Sequence, residues 1–424
     1  MKPASTVNAG DPSGDHAAPG RWAVGRLRYA GALPGWFAFA ALLALAAAIG
    51  HRQLGDGDLF WNLALGDWIL DHRALPPAPD PFVWNAPGAS VAHEWLAQVV
   101  LAATARLGGL EGLRLLGAAT CFAAIGLLVA AFRRRGLSLT MAVALSALWW
   151  LGAEPHAIVR PHLIAWLPAI WVLAIALPDP RRSTRRRLAT LFVVVAIWAN
   201  AHASVIAAPA IAMIFLAERS VALVWSFWRS RARAAAARVA SADDFAPRAE
   251  TLRKAAVADG VLRDAALRAA TVFAASLLQP AGGQLYAYAL ATPAINRALS
   301  NEWWPLISAD VWQSRPLAIV AWAVAAAAVA GAAVSRVRRA GSGGDSAAFP
   351  GWLAAVLVLV QAATTRRMTA FLYLPWLAVG LPWLAVGLPW LTVSASTPGR
   401  IEDAGGSAGR RRARLAVAAA LIAT

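Results

Sequence analysis

The stretch GWFAFAALLALAAAIGHRQLGDGDLFWNLALGDWIL, residues 35–70, joins an unbroken apolar run to a segment that mixes acids with aromatic residues. Its first part, 35–50, is apolar enough to enter a bilayer. The whole chain is 59% hydrophobic and only 14% charged, with a mean hydropathy of +0.55, values typical of membrane proteins. We therefore predict an all-α, polytopic integral membrane protein.

Apolar segments recur along the chain and predict about ten transmembrane helices. They lie near 35–50, 110–132, 137–152, 163–177, 188–199, 204–217, 268–279, 315–334, 350–364 and 369–393. Several are shorter than the ~20 residues of a straight span, so we expect tilted, broken or re-entrant helices. The predicted domains are a disordered tail at 1–34, a transmembrane domain at 35–393, and a basic segment at 394–424 that ends in a truncated apolar run.

The basic residues indicate which side of the membrane each connection occupies. Thirty of the 39 Lys and Arg residues lie in alternate connections, among them the tail, 133–135, 178–187 and the long loop 218–267 with the flanking Arg268. Cytoplasmic connections carry the excess of Lys and Arg. These connections, and the N-terminus with them, are therefore predicted to be cytoplasmic.

Composition also excludes several classes of protein. The formal charge of +17 is spread in short clusters between apolar runs, which argues against a nucleic-acid partner and for contact with membrane lipid. No GxxxxGK[ST] or GxGxxG motif is present, so an ATP-driven pump and a Rossmann enzyme are disfavoured. Cys121 is the only cysteine and provides neither a disulfide nor a thiolate metal site.

Chemistry-capable residues concentrate in the predicted outer connections, which hold six of the seven histidines. Ionisable groups at membrane depth are costly, so their presence indicates a functional site at the outer face. The candidate residues are Asp56, Asp58, His93, Glu94, Arg160, His162, Asn200, His202, Glu302, Arg366 and Arg367.

The first outer loop, 51–109, is predicted to contain two interfacial helices. In the first, Asp58 and Asn62 share one stripe of the helix and Asp67 and Asp71 share a nearly opposite one, a pattern that suits the membrane surface. Alternatively, Asp58 caps the helix and Asp56 is a turn residue.

The second interfacial helix is predicted at 89–109, starting at Ser90 or His93. His93 and Glu94 lack the HExxH spacing of a zinc protease, although acids and histidines of both helices can still meet around a divalent metal ion.

Further along the chain, two pairs of residues begin spans and suit an anionic ligand. Arg160 and His162 precede one span, and Arg366 and Arg367 lie at the outer boundary of another. Arginine binds phosphate bidentately, although at the end of a span it also snorkels to lipid headgroups. Asn200 and His202 interrupt two short apolar segments, where a broken helix can line a cavity or serve only packing.

The stretch DGDLFWNLALGDWILDHRALPPAPDPFVWNAPGASVAHEWLAQVVLA, followed downstream by RPHLIAW, WANAHAS, LQPAGGQLYAYALATPAINRALSNEWWP and TRRMTAF, resembles a group of bacterial polytopic proteins. These are similar to membrane glycosyltransferases of the GT-C type, which use polyprenyl-phosphate-linked sugars. The resemblance covers roughly 35–393. This sequence departs from the group's pattern in three places. Asn62 stands where the group commonly has His, and the stretches from Asn200 to Ser204 and from Gln279 to Gly282 also differ.

The resemblance implies a multi-pass protein of the bacterial inner (plasma) membrane and a sugar donor linked to polyprenyl phosphate. It also implies an aspartate in the first outer loop that acts as a base or binds a metal. We expect Asp58 to be the base, Asp56 its partner or a metal ligand, and Arg366 with Arg367 the phosphate clamp; His93, Glu94, His162 and His202 are secondary candidates. Two other interpretations remain: a transporter or flippase of a lipid-linked or anionic substrate, and a noncatalytic, truncated relative.

Overall fold

The structure, a computed structural model, is entirely helical in the part of the chain that it describes. The described residues are 33–52, 54–77, 80–82, 92–179, 181, 183–240, 247–299, 305–306, 313, 316–341 and 352–364. The predictions for the tail, for the span 369–393, for 394–424, and for Glu302, Arg366 and Arg367 lie outside these ranges. Within them, the all-α prediction is confirmed.

Eleven α-helices occupy the described ranges. They are α1 Leu33–Arg52, α2 Gly57–His72, α3 Trp95–Arg134, α4 Leu139–Ala153, α5 Pro161–Ile170, α6 Arg185–Ala201, α7 Ala207–Ala240, α8 Pro247–Ser276, α9 Gln284–Leu299, α10 Pro316–Gly341 and α11 Trp352–Thr364. Short 3₁₀ helices at Glu154–His156 and Ala203–Ile206 precede α5 and α7, and α5 continues into a π-helical stretch at Trp171–Ala176.

Helix α3 is the centre of the fold, because α1, α2, α4, α5 and α6 all pack against it. Its crossing with α1 is close: a Cβ added to the buried Gly50 would lie 2.6 Å from the carbonyl oxygen of Gly117. Gly66 of α2 similarly lies against the backbone of Gln98. Glycine at these points allows the backbones to approach, as in many membrane helix pairs.

Helix α3 contains one break, at Gly109. This residue has φ 60° and ψ −152°, a conformation that side-chain-bearing residues rarely adopt. The break falls at the predicted boundary between the second interfacial helix and the following span. The helix begins at Trp95 rather than at Ser90 or His93.

Three segments in the described part of the chain are long and apolar enough to cross a membrane: Pro34–His51, Trp95–Arg134 and Ala203–Ala232. Shorter apolar helices lie at Pro161–Ala176 and Pro316–Gly331. Large apolar side chains also point outward, among them Phe37, Phe122 and Trp228. A helix that is apolar on its outer face is suited to lipid, so these features are those of a membrane-associated helical protein.

The region 218–267, predicted as a long connection with helical character, is occupied largely by the ends of α7 and α8. These two helices pack against each other, and α8 also packs along α6. The ends of α3, α5 and α6 define two separate polar regions. One lies where α3 and α5 begin and α6 ends, and the other lies at the opposite ends of the same helices.

Candidate functional site

The first part of the site is an ion-pair cluster at the start of α2. The Asp56 carboxylate caps the helix by accepting a hydrogen bond from the backbone N–H of Asp58, at 2.9 Å. It also pairs with the guanidinium of Arg160, whose Nη1 lies 3.2 Å from Oδ2 of Asp58. The side chain of Asp56 is only 10% exposed, whereas that of Asp58 is 65% exposed. Asp56 is therefore the held carboxylate and Asp58 the accessible one.

Local sequence explains these positions. An aspartate preceding the first helical residue is a preferred N-cap, and in this chain that residue is Asp56 rather than the alternative Asp58. Arg160 precedes Pro161, and a residue before proline is driven to an extended backbone; its φ and ψ are −144° and 168°. The arginine thus lies just before α5, at the point where α5 approaches the start of α2.

A buried amide pair fixes α2 to α3 beneath this cluster. Asn62 donates to the carbonyl oxygen of Asp58 at 2.8 Å, and Gln98 of α3 donates to Oδ1 of Asn62 at 3.0 Å. Both side chains are almost completely buried. Asn62 therefore faces the protein, and the amide chain connects the backbone of Asp58 to α3.

The second part of the site is centred on Glu94, just before α3. Its Oε1 lies 3.2 Å from Nε2 of His202 and 3.5 Å from Nε2 of His93. The backbone N–H of Ser204 donates to Nδ1 of His202 at 3.0 Å, so Nδ1 is an acceptor and the proton of the neutral ring is on Nε2, facing Glu94. All three side chains are mostly buried, so the group is compact and largely shielded from solvent.

Aromatic and amide contacts extend this group. The rings of His162 and His202 lie 6.1 Å apart edge to face, and those of His93 and Tyr288 lie 4.5 Å apart. Since His162 follows Arg160 by two residues, the start of α5 joins the ion-pair cluster to the Glu94 group.

Asn200 is connected through Trp95, whose Nε1 donates to Oδ1 of Asn200 at 2.6 Å. Asn200 in turn donates to the carbonyl oxygen of Leu278 at 2.6 Å, and this ties the end of α6 to the chain after α8.

The structure therefore brings together most of the predicted site residues that it describes. They are Asp56, Asp58, His93, Glu94, Arg160, His162, Asn200 and His202. Two other predicted outer histidines lie elsewhere: His51 pairs with Glu111 on α3, and His72 stacks on Trp68.

Sequence reasoning missed three partners of these groups. Tyr288 contacts His93, and Gln98 contacts Asn62. Arg106 of α3 binds both Asp67 and Asp71, at 2.6 and 2.7 Å. The i, i+4 spacing of those two acids was the available signal for a shared basic partner, because such residues lie on one helix face.

Acids and histidines, which both occur in the site, are the side-chain types that hold divalent metal ions. Among the described residues no group of three or more His, Cys, Asp and Glu side chains is placed to hold a metal ion. The positive group between Asp56 and Asp58 is the guanidinium of Arg160. The residues as placed form an ion-pair site rather than a set of metal ligands.

Comparisons with protein-family models, curated proteins and solved structures find no match for this chain. Function is therefore inferred from the residues and their geometry.

Proposed function

We propose that this protein is a membrane glycosyltransferase of the GT-C type. It transfers a sugar from a polyprenyl-phosphate-linked donor to an envelope glycan, lipid or protein acceptor at the outer face of a bacterial inner membrane. The observation that carries the proposal is the placement of the exposed Asp58 beside Arg160, with the start of α5 joining this pair to the Glu94 group through His162 and His202. Such a set provides a base and a cation on one surface.

Asp58 is the general base in this proposal. Its carboxylate is the accessible one of the pair, and its backbone is fixed through Asn62. It accepts the proton of the acceptor hydroxyl while the hydroxyl oxygen bonds to C1 of the sugar. The bond from C1 to the phosphate oxygen breaks, and the electron pair leaves with the polyprenyl phosphate. General-base catalysis of this kind contributes about 10²–10⁴-fold in rate.

Charge on the departing phosphate requires cations. Arg160 is the arginine next to the proposed base, and a planar guanidinium is well suited to contact phosphate oxygens. Arg366 and Arg367 remain the predicted phosphate clamp, with Glu302 as a further substrate contact. Stabilising the charge that develops in the transition state is commonly the largest catalytic contribution.

The proposed topology has about ten spans and a cytoplasmic N-terminus. Two groupings support it. Residues of predicted outer connections meet around Arg160 and Glu94, whereas arginines of three predicted cytoplasmic connections meet at the other ends of the same helices. A chain that crosses the membrane repeatedly separates its polar residues in this way.

The decisive experiment compares cell-envelope glycans and glycolipids by mass spectrometry in cells with and without the protein. The deletion is complemented with wild type, with Asp58→Asn, or with Asp67→Asn. The last variant is a matched control, because Asp67 is also on α2 and also pairs with an arginine, Arg106. Immunoblots of the membrane fraction confirm equal amounts of each protein.

We expect deletion to remove a sugar-sized mass that wild type and Asp67→Asn restore and Asp58→Asn does not. Restoration by Asp58→Asn would show that Asp58 is not the base. If deletion changes no glycan, the glycosyltransferase proposal fails. Transport or flipping of an anionic substrate, or a noncatalytic role, then becomes the leading interpretation.

A further inference from the structure

A basic cavity of about 360 Å³ lies at the opposite ends of α3, α5 and α6 from the candidate site. Arginines from three segments line it: Arg134 at the end of α3, Arg181, Arg186 and Arg187 before and in α6, and Arg268 on α8. Asp179 is the one carboxylate among its described lining residues. Five arginines against one aspartate leave the lining with a formal charge of +4.

Two of these arginines organise the walls of the cavity. Arg268 is buried and donates to the carbonyl oxygens of Ala176, Leu177, Asp179 and Arg181 and to Ser183 Oγ, and it pairs with Asp264 at 2.8 Å. It thereby holds the chain that forms one wall of the cavity. Arg181 binds Asp179 through Nε and Nη2, and so neutralises that carboxylate. The other arginines that line the cavity are Arg134, Arg186 and Arg187.

Arg186 and Arg187 lie at an electrostatically unfavourable position. They lie in the first turn of α6, after the N-cap Thr184, and no acid accompanies them there. The start of a helix carries partial positive charge, so cations at this position are unfavourable. The positive-inside rule explains why arginines lie on this side of the membrane. It does not explain why Arg186, Arg187 and Arg134 all line one cavity. An anion bound between them would relieve the repulsion.

The cavity also has an apolar wall. Trp171 and Ile175 come from the π-helical stretch after α5, and Leu188 and Leu191 come from α6. Short π-helical stretches frequently occur at functional sites. Arginines on one side and apolar side chains on the other match an amphiphile with an anionic head.

We propose that this cavity binds a phosphate group through Arg134, Arg186 and Arg187, and that the phosphate is the headgroup of an anionic phospholipid. Arginine suits this role, because its planar guanidinium binds phosphate oxygens in pairs. The neighbouring apolar wall accepts the first part of the acyl chains. The site is independent of the proposed sugar transfer, since it shares no residue with the Asp58 and Glu94 groups.

The test uses the full chain in detergent, titrated with phosphatidylglycerol or with phosphatidylcholine of the same acyl chains and followed by native mass spectrometry. The binding variant is Arg186→Gln/Arg187→Gln, and Arg134→Gln tests the opposite wall on a different helix. The matched control is Arg229→Gln/Arg231→Gln, which removes two arginines of α7 that do not line the cavity. A parallel titration with inorganic phosphate, against chloride at equal ionic strength, follows thermal stability.

We expect phosphatidylglycerol to bind more tightly than phosphatidylcholine, and its dissociation constant to rise about tenfold in the Arg186→Gln/Arg187→Gln protein but not in the control. Arg134→Gln should weaken binding in the same direction. If inorganic phosphate stabilises the protein through these arginines and the lipid does not bind, the ligand is a soluble phosphate rather than a lipid. Equal losses in the α7 control, or no loss in any cavity variant, overturn the proposal.

Discussion

Glu94 and His202, from the starts and ends of different helices, meet with Oε1 3.2 Å from Nε2. The other ring nitrogen of His202 accepts from the backbone of Ser204 at 3.0 Å. One imidazole therefore connects the start of α3 to the turn after α6. Its Nε2 contacts Glu94 and its Nδ1 accepts from Ser204.

Comparing His202→Asn with His202→Ala separates the contributions of these two contacts. The Asn side chain keeps an acceptor near the position of Nδ1, so the N–H of Ser204 stays satisfied, whereas Ala removes both contacts. We expect His202→Ala to lose about 1 kcal/mol more stability than His202→Asn in thermal unfolding. Both variants should lower sugar transfer, since both lose the contact with Glu94. Equal stability of the two variants would contradict a stabilising role for the hydrogen bond from Ser204 N–H to Nδ1 of His202.

Substitutions of Asp56 and of Asp58 are expected to differ in how much they destabilise the protein. Asp56→Ala removes a helix cap and one partner of a largely buried ion pair, and should cost about 2–4 kcal/mol in unfolding free energy. Asp56→Asn keeps the cap acceptor and should be less destabilised than Asp56→Ala. Asp58→Asn removes an exposed carboxylate and should leave stability within about 0.5 kcal/mol of wild type. Denaturant or thermal unfolding in detergent measures all three, and a strong loss in Asp58→Asn would show that its role is structural.

Local patterns predicted local structure well. The helix over the DGDLFWNLALGDWIL segment and the boundary at Gly109 follow from composition, periodicity and the position of a glycine. Contacts between distant segments were less accessible. The pairing of Arg160 with Asp56 depends on how α2 and α5 each pack against α3, and no spacing within either helix specifies that packing.

Buried polar partners were the other omission. In the sequence, Arg268 is not distinguishable from the other basic residues of the long charged loop that it flanks. In the structure it is buried, donates to five backbone and side-chain acceptors between 176 and 183, and pairs with Asp264 on its own helix. Its role depends on the fold of a neighbouring connection, which residue type and spacing do not reveal.

The crossing of α1 and α3 should not tolerate a methyl group. A Cβ on Gly50 would lie 2.6 Å from the oxygen of Gly117 and 2.8 Å from Sγ of Cys121, so the helices must separate. We expect Gly50→Ala to lose about 1–3 kcal/mol of stability. Gly126→Ala is the matched control on α3, because no atom lies within 4 Å of its added Cβ. Thermal unfolding of both proteins checks this, and equal melting temperatures would contradict the close crossing.

Asp179 should contribute to acid sensitivity. Burial acts to raise the pKa of its carboxyl, but hydrogen bonds from the side chain and backbone of Arg181 outweigh this effect and lower the pKa. A carboxyl with a lowered pKa in the folded state stabilises the protein above its unfolded pKa of about 3.9, and this contribution disappears as the pH falls through the folded value. Asp179→Asn should therefore flatten the loss of stability below about pH 4.

The control for this prediction is Arg181→Gln, which removes the cause of the lowered pKa and should flatten the same part of the curve. Because Arg181 is well exposed, solvent screens the pair and the effect should be small. An unchanged acid limb in Asp179→Asn would show that other carboxyls determine the transition.

Arg268 should be the most sensitive arginine of α8. Arg268→Met removes a donor from four carbonyl oxygens and from Ser183 Oγ and leaves Asp264 without its arginine in a buried setting, and should cost about 3–5 kcal/mol. Arg263→Met, an exposed position on the same helix, should cost less than about 0.5 kcal/mol. Unfolding of the two proteins under identical conditions makes the comparison.

Arg268→Lys tests geometry apart from charge. Lysine keeps the charge, but its single nitrogen has three donors and cannot reach the oxygens of Ala176 and Arg181 together as the guanidinium does. It should therefore recover only part of the loss seen in Arg268→Met. These oxygens belong to the wall of the basic cavity. Phosphatidylglycerol binding should therefore weaken together with stability, less in Arg268→Lys than in Arg268→Met. Full recovery of stability by lysine would mean that the charge near Asp264, rather than the set of directed hydrogen bonds, holds this wall in place.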